Sequence, residues 1–446
     1  MRKSSIVAAA ICLTAAAGCN SFLDAPKAVA DPNAPTQAST NQLFVGTLSN
    51  TFGNYEGPVA MLICQWMQQC AGVNGRFVET QAIYTIDAGT FDIPFQNIFN
   101  GGGLIGLRAV EAQVASDRLY LGVAEVLEAM NIMFAADVWG DIPYSEAVGS
   151  NTTPKFDPQM QVYASLLTLL DKAIADLAAG GTGPGAADLV YGGNATKWSE
   201  AAHTLKARIY LHQVEKLGNA QYTSALAEAR KGISSPANDW KTAHSSNTSE
   251  RNMWAQFAQT SFGPDLVAGS TLVNLMKAQN DPRIGSYYQK NSAGAYVGYD
   301  VSTGGPDVAT ISALVTNPTA PQPIITYDET QLIIAEAAFQ TSDRTSAATA
   351  FNLVRTRAGK PTIAAAALTL ADIMNEKYIT LFENPEVWND YKRTCLPALK
   401  AARGRSRIPG RIYYGQTEEQ TNSNTPTTAS QNLFTFRNPN DPNACQ

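Results

Sequence analysis

Apolar residues recur every three or four positions through most of the chain, and the elements they predict are helices. Between Arg108 and Ala136 the pattern is strongly helical, and from Leu121 to Phe134 it is apolar on nearly every side, with Val123, Leu127, Met130 and Phe134 at helical spacing. That predicts a buried central helix. From Met160 to Ala179 the residues Val162, Leu166, Leu169, Leu170, Ile174 and Leu177 mark an amphipathic helix that Gly180 and Gly181 stop. Trp198 to Leu217 carries one stripe, Leu205, Ile209, Tyr210, Val214 and Leu217, and the Gly218-Asn219 turn returns the chain into an Ala-rich partner from Tyr222 to Ile233. Tyr327 to Gln340 and Ser346 to Ala358 form a second such hairpin, with alanines at close-approach positions and Phe339 and Phe351 to fill gaps. From about Ser234 to Gln322 the helical period fades into a segment rich in Gly, Ser, Asn and Tyr. So long a loop region in a helical protein is seldom idle.

Helix pairs with alanine at tight crossings resemble tetratricopeptide repeats, which must stack to bury their faces. The expected class is mainly α: tetratricopeptide-like hairpins in a superhelical scaffold, with long irregular loops carrying a ligand site.

The N-terminus changes the compartment. Arg2 and Lys3 precede an apolar run from Ile6 to Ala17 that is too short to span a bilayer, which reads as a signal peptide over residues 1–18. Ala16-Ala17-Gly18-Cys19 resembles a lipobox, making Cys19 the expected lipidation site. Acyl chains at about 0.8 kcal/mol per buried CH₂ would hold the protein to a membrane through this anchor alone. Residues 19–40, rich in Ala, Pro, Asp and Ser, read as a tether, with the folded domain at 41–446.

A net charge of −6 with scattered basic residues leaves no contiguous surface for phosphate tracking, so nucleic acid is not an expected partner. The one basic cluster, Lys400, Arg403, Arg405, Arg407 and Arg411, falls in a Gly/Pro-containing loop and reads as a solvated face. Setting aside Cys12 in the leader and Cys19, four cysteines remain: Cys64, Cys70, Cys395 and Cys445. In an oxidising compartment they permit three full pairings, with Cys64 and Cys70 near enough to pair locally.

No reaction is legible. Asp137, Asp141 and Glu146 surround Trp139 as carboxylates surround an aromatic in glycosidases, but Asp137 ends a helix, Gly140-Asp141 makes a turn and Trp139 can pack beneath Pro143. A structural corner is the better reading. Gly101 to Gly106 satisfies the GxGxxG spacing without the strand that a dinucleotide site requires, and reads as a helix start. His203 and His212 lie nine residues apart on one predicted helix, on opposite faces, so they do not share a metal. There is no GxSxG elbow, and Gly359-Lys360 is followed by Pro361 rather than by a phosphate-binding Ser or Thr. No cofactor is expected.

Specific residues carry a resemblance to the SusD/RagB outer-membrane lipoproteins: Cys19 to Asp24, Asp31 to Pro35, Ala136 to Tyr144, and Asn352 to Gly359. Further on, Glu376-Lys377-Tyr378-Ile379, Glu386 to Arg393, Ile408 to Arg411, Tyr413-Tyr414 and Glu418 resemble the branch with a Lys-Tyr helix motif. The resemblance covers essentially the whole chain. It implies a non-catalytic, lipid-anchored, surface-exposed protein of the outer membrane that captures glycan, or peptide as runner-up, and delivers it to a SusC-like TonB-dependent transporter. Cys395 stands where that family more often has glycine, and a disulfide from it to Cys445 would tie down the tail. The alternative from another class is a tetratricopeptide-like scaffold lipoprotein that assembles an envelope complex.

Sugars are captured by flat aromatic faces beside forked hydrogen-bonding groups. Two stretches have that chemistry. One offers Trp66, Gln69, Asn74, Arg76 and Phe77; the other offers Trp254, Tyr296 and Tyr299. These eight are the expected ligand residues.

Overall fold

A computed structural model describes residues 38–445 apart from 313, 314, 436, 439 and 442–444. The leader, Cys19 and all but the end of the tether lie outside the described residues. Helix α1, Thr40–Glu56, starts from a reciprocal cap in which Ser39 and Gln42 each accept the other's backbone N–H. It leads into α2, Pro58–Trp66, then α3, Asp92–Phe99, α4, Leu104–Gln113, and the 22-residue α5, Arg118–Trp139. The stretch expected as one helix from Arg108 is therefore two. Asp117 breaks it, because its carboxylate accepts the Tyr120 N–H and so caps a new helix.

Helix α5 is buried over nearly its whole length, as its all-round apolar pattern predicts. It is the one described helix long and apolar enough to cross a membrane, and its burial inside the protein gives it a core role instead. It packs on α6, Gln159–Ala179, at a crossing where a Cβ on Gly122 would lie 2.9 Å from the Ala173 carbonyl oxygen and the Leu177 side chain. From there the stack continues through α7, Ala195–His212, and α8, Ala220–Ala229. Helix α7 ends five residues earlier than its stripe suggested; after Gln213 one further helical turn carries Leu217, which is 53 % exposed rather than in the core. Helix α8 packs in turn on α10, Tyr327–Gln340, which pairs with α11, Arg344–Arg357, and with α12, Leu370–Thr380. The nine-residue α13, Glu386–Thr394, closes against α7 and α12. This is the mainly α, tetratricopeptide-like scaffold expected from the spacing.

The segment 234–322 is less irregular than its composition suggested. It holds α9, Ser270–Ala278, and most of a four-stranded antiparallel sheet. The strands are β1, Cys70–Gly72, β3, Leu266–Ala268, β4, Tyr288–Gln289, and β5, Thr310–Ile311, in the order β1-β3-β5-β4. A second ribbon pairs β2, Trp240–Lys241, with β6, Pro323–Ile325. Both cysteine pairs are bridged, Cys64 to Cys70 and Cys395 to Cys445, with Cα atoms 5.4 Å and 5.1 Å apart.

Candidate ligand-binding site

The two stretches nominated by their chemistry meet in one sheet. Cys70, Ala71 and Gly72 pair with Ala268, Val267 and Leu266, so the loop after β1 lies beside the loop before β3. Gly72 is required there, since a Cβ would sit 2.5 Å from the Phe77 carbonyl oxygen. Two hydrogen bonds latch the loops together: Val73 N donates to Asp265 O at 2.9 Å, and Asn74 Nδ2 donates to Asp265 Oδ1 at 2.9 Å.

At this rim Asn74 and Arg76 are exposed, and Phe262 is 49 % exposed at the tip of its loop. The Arg76 guanidinium carbon lies 5.0 Å from the Phe77 ring centre and 5.3 Å from that of Phe262. Phe77 in turn meets Phe257 edge to face, centroids 5.4 Å apart. A guanidinium among phenyl rings, an amide beside it and an exposed aromatic face make a surface that can stack on a sugar ring and hydrogen-bond its substituents.

Residues 32–415 match the SusD-like family described as starch-binding and associating with the outer membrane. The chain belongs to that SusD-like family. Solved structures with the same fold include a SusD/RagB protein from Bacteroides thetaiotaomicron, with TM-score 0.72 and 21 % identity over 87 % of this chain and 95 % of that one. A chitin-binding SusD homolog from Flavobacterium johnsoniae aligns with TM-score 0.74 and 19 % identity, covering 90 % of this chain and 99 % of that one. A SusD homolog from Bacteroides fragilis gives 0.70 and 19 %, with 91 % and 97 % covered. No curated protein matches the chain.

Within this SusD-like fold the eight expected ligand residues separate. Asn74 and Arg76 reach the surface. Trp66 does not: it is fully buried, its Nε1 donates to Gln81 O at 2.9 Å, and its ring meets Tyr84 and Trp388 edge to face. Trp254 is 1 % exposed in a core of Met61, Cys64, Cys70 and Leu266, where it seals the loop onto the disulfide. Gln69 is buried as well. Its Nε2 donates to Tyr378 O and Leu381 O, and its Oε1 accepts from Glu383 N, so it ties the β1 loop to α12. Phe77 is buried beneath Arg76 and backs the rim without presenting a face. Stacking by Trp66, Trp254 or Phe77 and hydrogen bonding by Gln69 are therefore corrected to packing roles. Tyr296 and Tyr299 are partly exposed in the segment after β4, the opposite edge strand from β1; Lys290 Nζ sits 5.5 Å over the Tyr296 ring, and Tyr299 N donates to Ala268 O at 2.8 Å. Phe262 escaped the sequence reading. Its one signal is a lone aromatic in the polar run Thr260 to Asp265.

The rim is held by a rigid base. Tyr288 Oη donates to Gln69 O and Tyr378 Oη to Met67 O, at 2.5 and 2.6 Å. Below α9, Lys360 Nζ reaches both Asp281 and Glu376, and Arg283 bonds the same two carboxylates. Burial pushes the Asp281 carboxyl up, but Arg283 and Lys360 outweigh it and hold the group at about 2.

Several residues that carried the resemblance turn out to be internal fasteners. Trp139 Nε1 donates to Tyr413 O, and its ring meets Phe95 and Phe134 edge to face. Asp141 Oδ1 accepts the Gln159 N–H, and Glu146 faces Lys155 at the surface. Lys377 and Arg393 share Glu336 and Asp390 inside the scaffold. Arg411 of the basic cluster is buried, its guanidinium carbon 4.6 Å over the Tyr414 ring, so that residue is no part of a solvated face.

Asp137, His212 and Glu386 are close enough to suggest a metal site. The imidazole divides its two nitrogens, however, with Nδ1 3.0 Å from Asp137 and Nε2 2.7 Å from Glu386. Ligands on opposite edges of one ring do not converge on an ion; a protonated His212 satisfies both carboxylates. The glycines from 101 to 106 likewise serve packing. A Cβ on Gly102 would lie 2.4 Å from the Gly46 carbonyl oxygen of α1.

Proposed function

We propose that this protein is a cell-surface nutrient-binding lipoprotein, anchored to the outer membrane through Cys19, that captures oligosaccharide and delivers it to a SusC-like TonB-dependent transporter. The division into a leader at 1–18, a tether at 19–40 and a ligand-binding domain from 41 belongs to this reading. One observation carries it: β1 and β3 of a SusD-like chain gather Asn74, Arg76 and the exposed Phe262 on a single rim over a rigid base. The family's description as starch-binding and outer-membrane-associated supports a glycan ligand, as does the chitin-binding relative from Flavobacterium johnsoniae. The protein binds without turnover in this reading, because Asp137 is committed to His212, Asp141 to a helix start and Glu146 to Lys155.

Isothermal titration of the full-length lipidated protein in detergent with malto-, chito- and acidic oligosaccharides tests capture. Saturable binding that weakens at least tenfold in Phe262→Ala is expected. Co-purification from native outer membranes tests delivery, with a large β-barrel transporter recovered in stoichiometric amount. Partners recovered with no saccharide bound would instead favour the scaffold lipoprotein.

A further inference from the structure

Arg76 is the exposed cation of the rim, and among the described residues no acceptor takes its guanidinium N–H groups, nor does it form an ion pair. Arg108, Arg208, Arg283 and Arg393 each fork onto carboxylates, whereas Asp265, on the facing loop of the rim, accepts from Asn74. Phe77 and Phe262 flank the group, so it is held in place by rings that cannot neutralise it or use its donors.

We infer that the rim selects oligosaccharides bearing a carboxylate, with uronic-acid glycans as the substrate class. This rests on the binding function proposed above and names its ligand. The apolar face of the sugar ring stacks on Phe262, and the uronate carboxylate takes a bidentate pair of N–H donors from Arg76. Such a planar fork matches a carboxylate, and the charge-assisted bonds are about twice as strong as neutral ones. Asn74 leaves its Oδ1 free to accept from a neighbouring hydroxyl, since its Nδ2 is spent on Asp265.

The test is calorimetric titration of the full-length protein with uronic-acid oligosaccharides, namely oligogalacturonate and oligomannuronate, each beside its neutral methyl ester. The acid form of at least one is expected to bind ten times or more tighter than its ester, and raising salt from 0.05 to about 0.5 M should shrink that ratio. Arg76→Gln should abolish the preference, so that acid and ester bind with equal affinity, and Arg76→Lys should keep part of it. Equal affinity for acid and ester, or a preference that survives in Arg76→Gln, overturns the inference and leaves the binding function standing. If no oligosaccharide of any charge binds, both fall together.

Discussion

Arg208 on α7 forks onto Glu329 on α10, Nε 2.5 Å from Oε1 and Nη2 2.6 Å from Oε2, with neither side chain open to solvent. The same Nη2 donates to Ile324 O in β6, so one guanidinium joins two helix pairs to the ribbon between them. Removing one member of a buried pair strands the other charge, so Arg208→Met or Glu329→Leu alone should cost about 3–5 kcal/mol. The double variant should recover most of that. Denaturant unfolding monitored by circular dichroism gives both numbers, and additive losses would show that the two residues are not coupled.

His212 gives the scaffold a pH dependence. Burial opposes its charge, yet Asp137 and Glu386 outweigh burial and raise the imidazole to about 10 from its ordinary 6.5. Glu386 is correspondingly held below the usual carboxylate range by His212 and Arg208 against its own burial. A raised histidine contributes stability that is complete below about pH 6.5 and is lost as pH climbs through about 10. Thermal unfolding of the native chain should therefore decline between pH 7 and 10 more steeply than that of His212→Gln, which has nothing there to titrate. Parallel curves would remove His212 as the cause.

Burial divides the aromatics into two experimental classes. Trp66→Ala and Trp254→Ala each open a cavity in the core and should cost about 3–5 kcal/mol. Phe262→Ala should change stability by less than about 0.5 kcal/mol, because half of the ring is already in water. Ligand titration reverses the ranking: Phe262→Ala loses affinity at unchanged melting temperature, whereas any loss in the tryptophan variants tracks unfolding.

The disulfides differ in span, and the difference should be measurable. Cys395–Cys445 closes a separation of 50 residues and Cys64–Cys70 one of 6. On chain entropy alone the long loop contributes about 4 kcal/mol and the short one about 2. Cys395→Ser with Cys445→Ser should lower global stability more than the Cys64→Ser, Cys70→Ser pair. The short bridge, which underlies β1, should instead register in ligand affinity. Urea midpoints and titration of the two double variants decide between these outcomes.

By itself the sequence determined the buried central helix, the amphipathic helix after it and the two helix hairpins. Those depend on period and on local stop signals such as Gly180 and Gly218, and both act within a few residues. The family was legible too, and residues that carried the resemblance, such as Trp139 and Lys377, are buried fasteners of the scaffold. The break at Asp117 was also written locally, as a capping residue inside a run whose apolar content masked it.

Only the tertiary structure decided which aromatics face water. Trp254 and Phe262 have similar local signatures, an aromatic close to polar and small residues, and Trp66 ends an apolar helix beside Gln65 and Gln68; what separates the three is the neighbour that covers each one. Trp388 and Tyr84 cover Trp66 and the Cys64–Cys70 bridge covers Trp254; Phe262, 49 % exposed, faces the Arg76 guanidinium. The pairing of β1 with β3 brings together residues nearly 200 positions apart, and such contacts leave no period to read. Side-chain chemistry is local and so could nominate the two stretches. Burial is a property of the assembled whole, and it alone could choose among their residues.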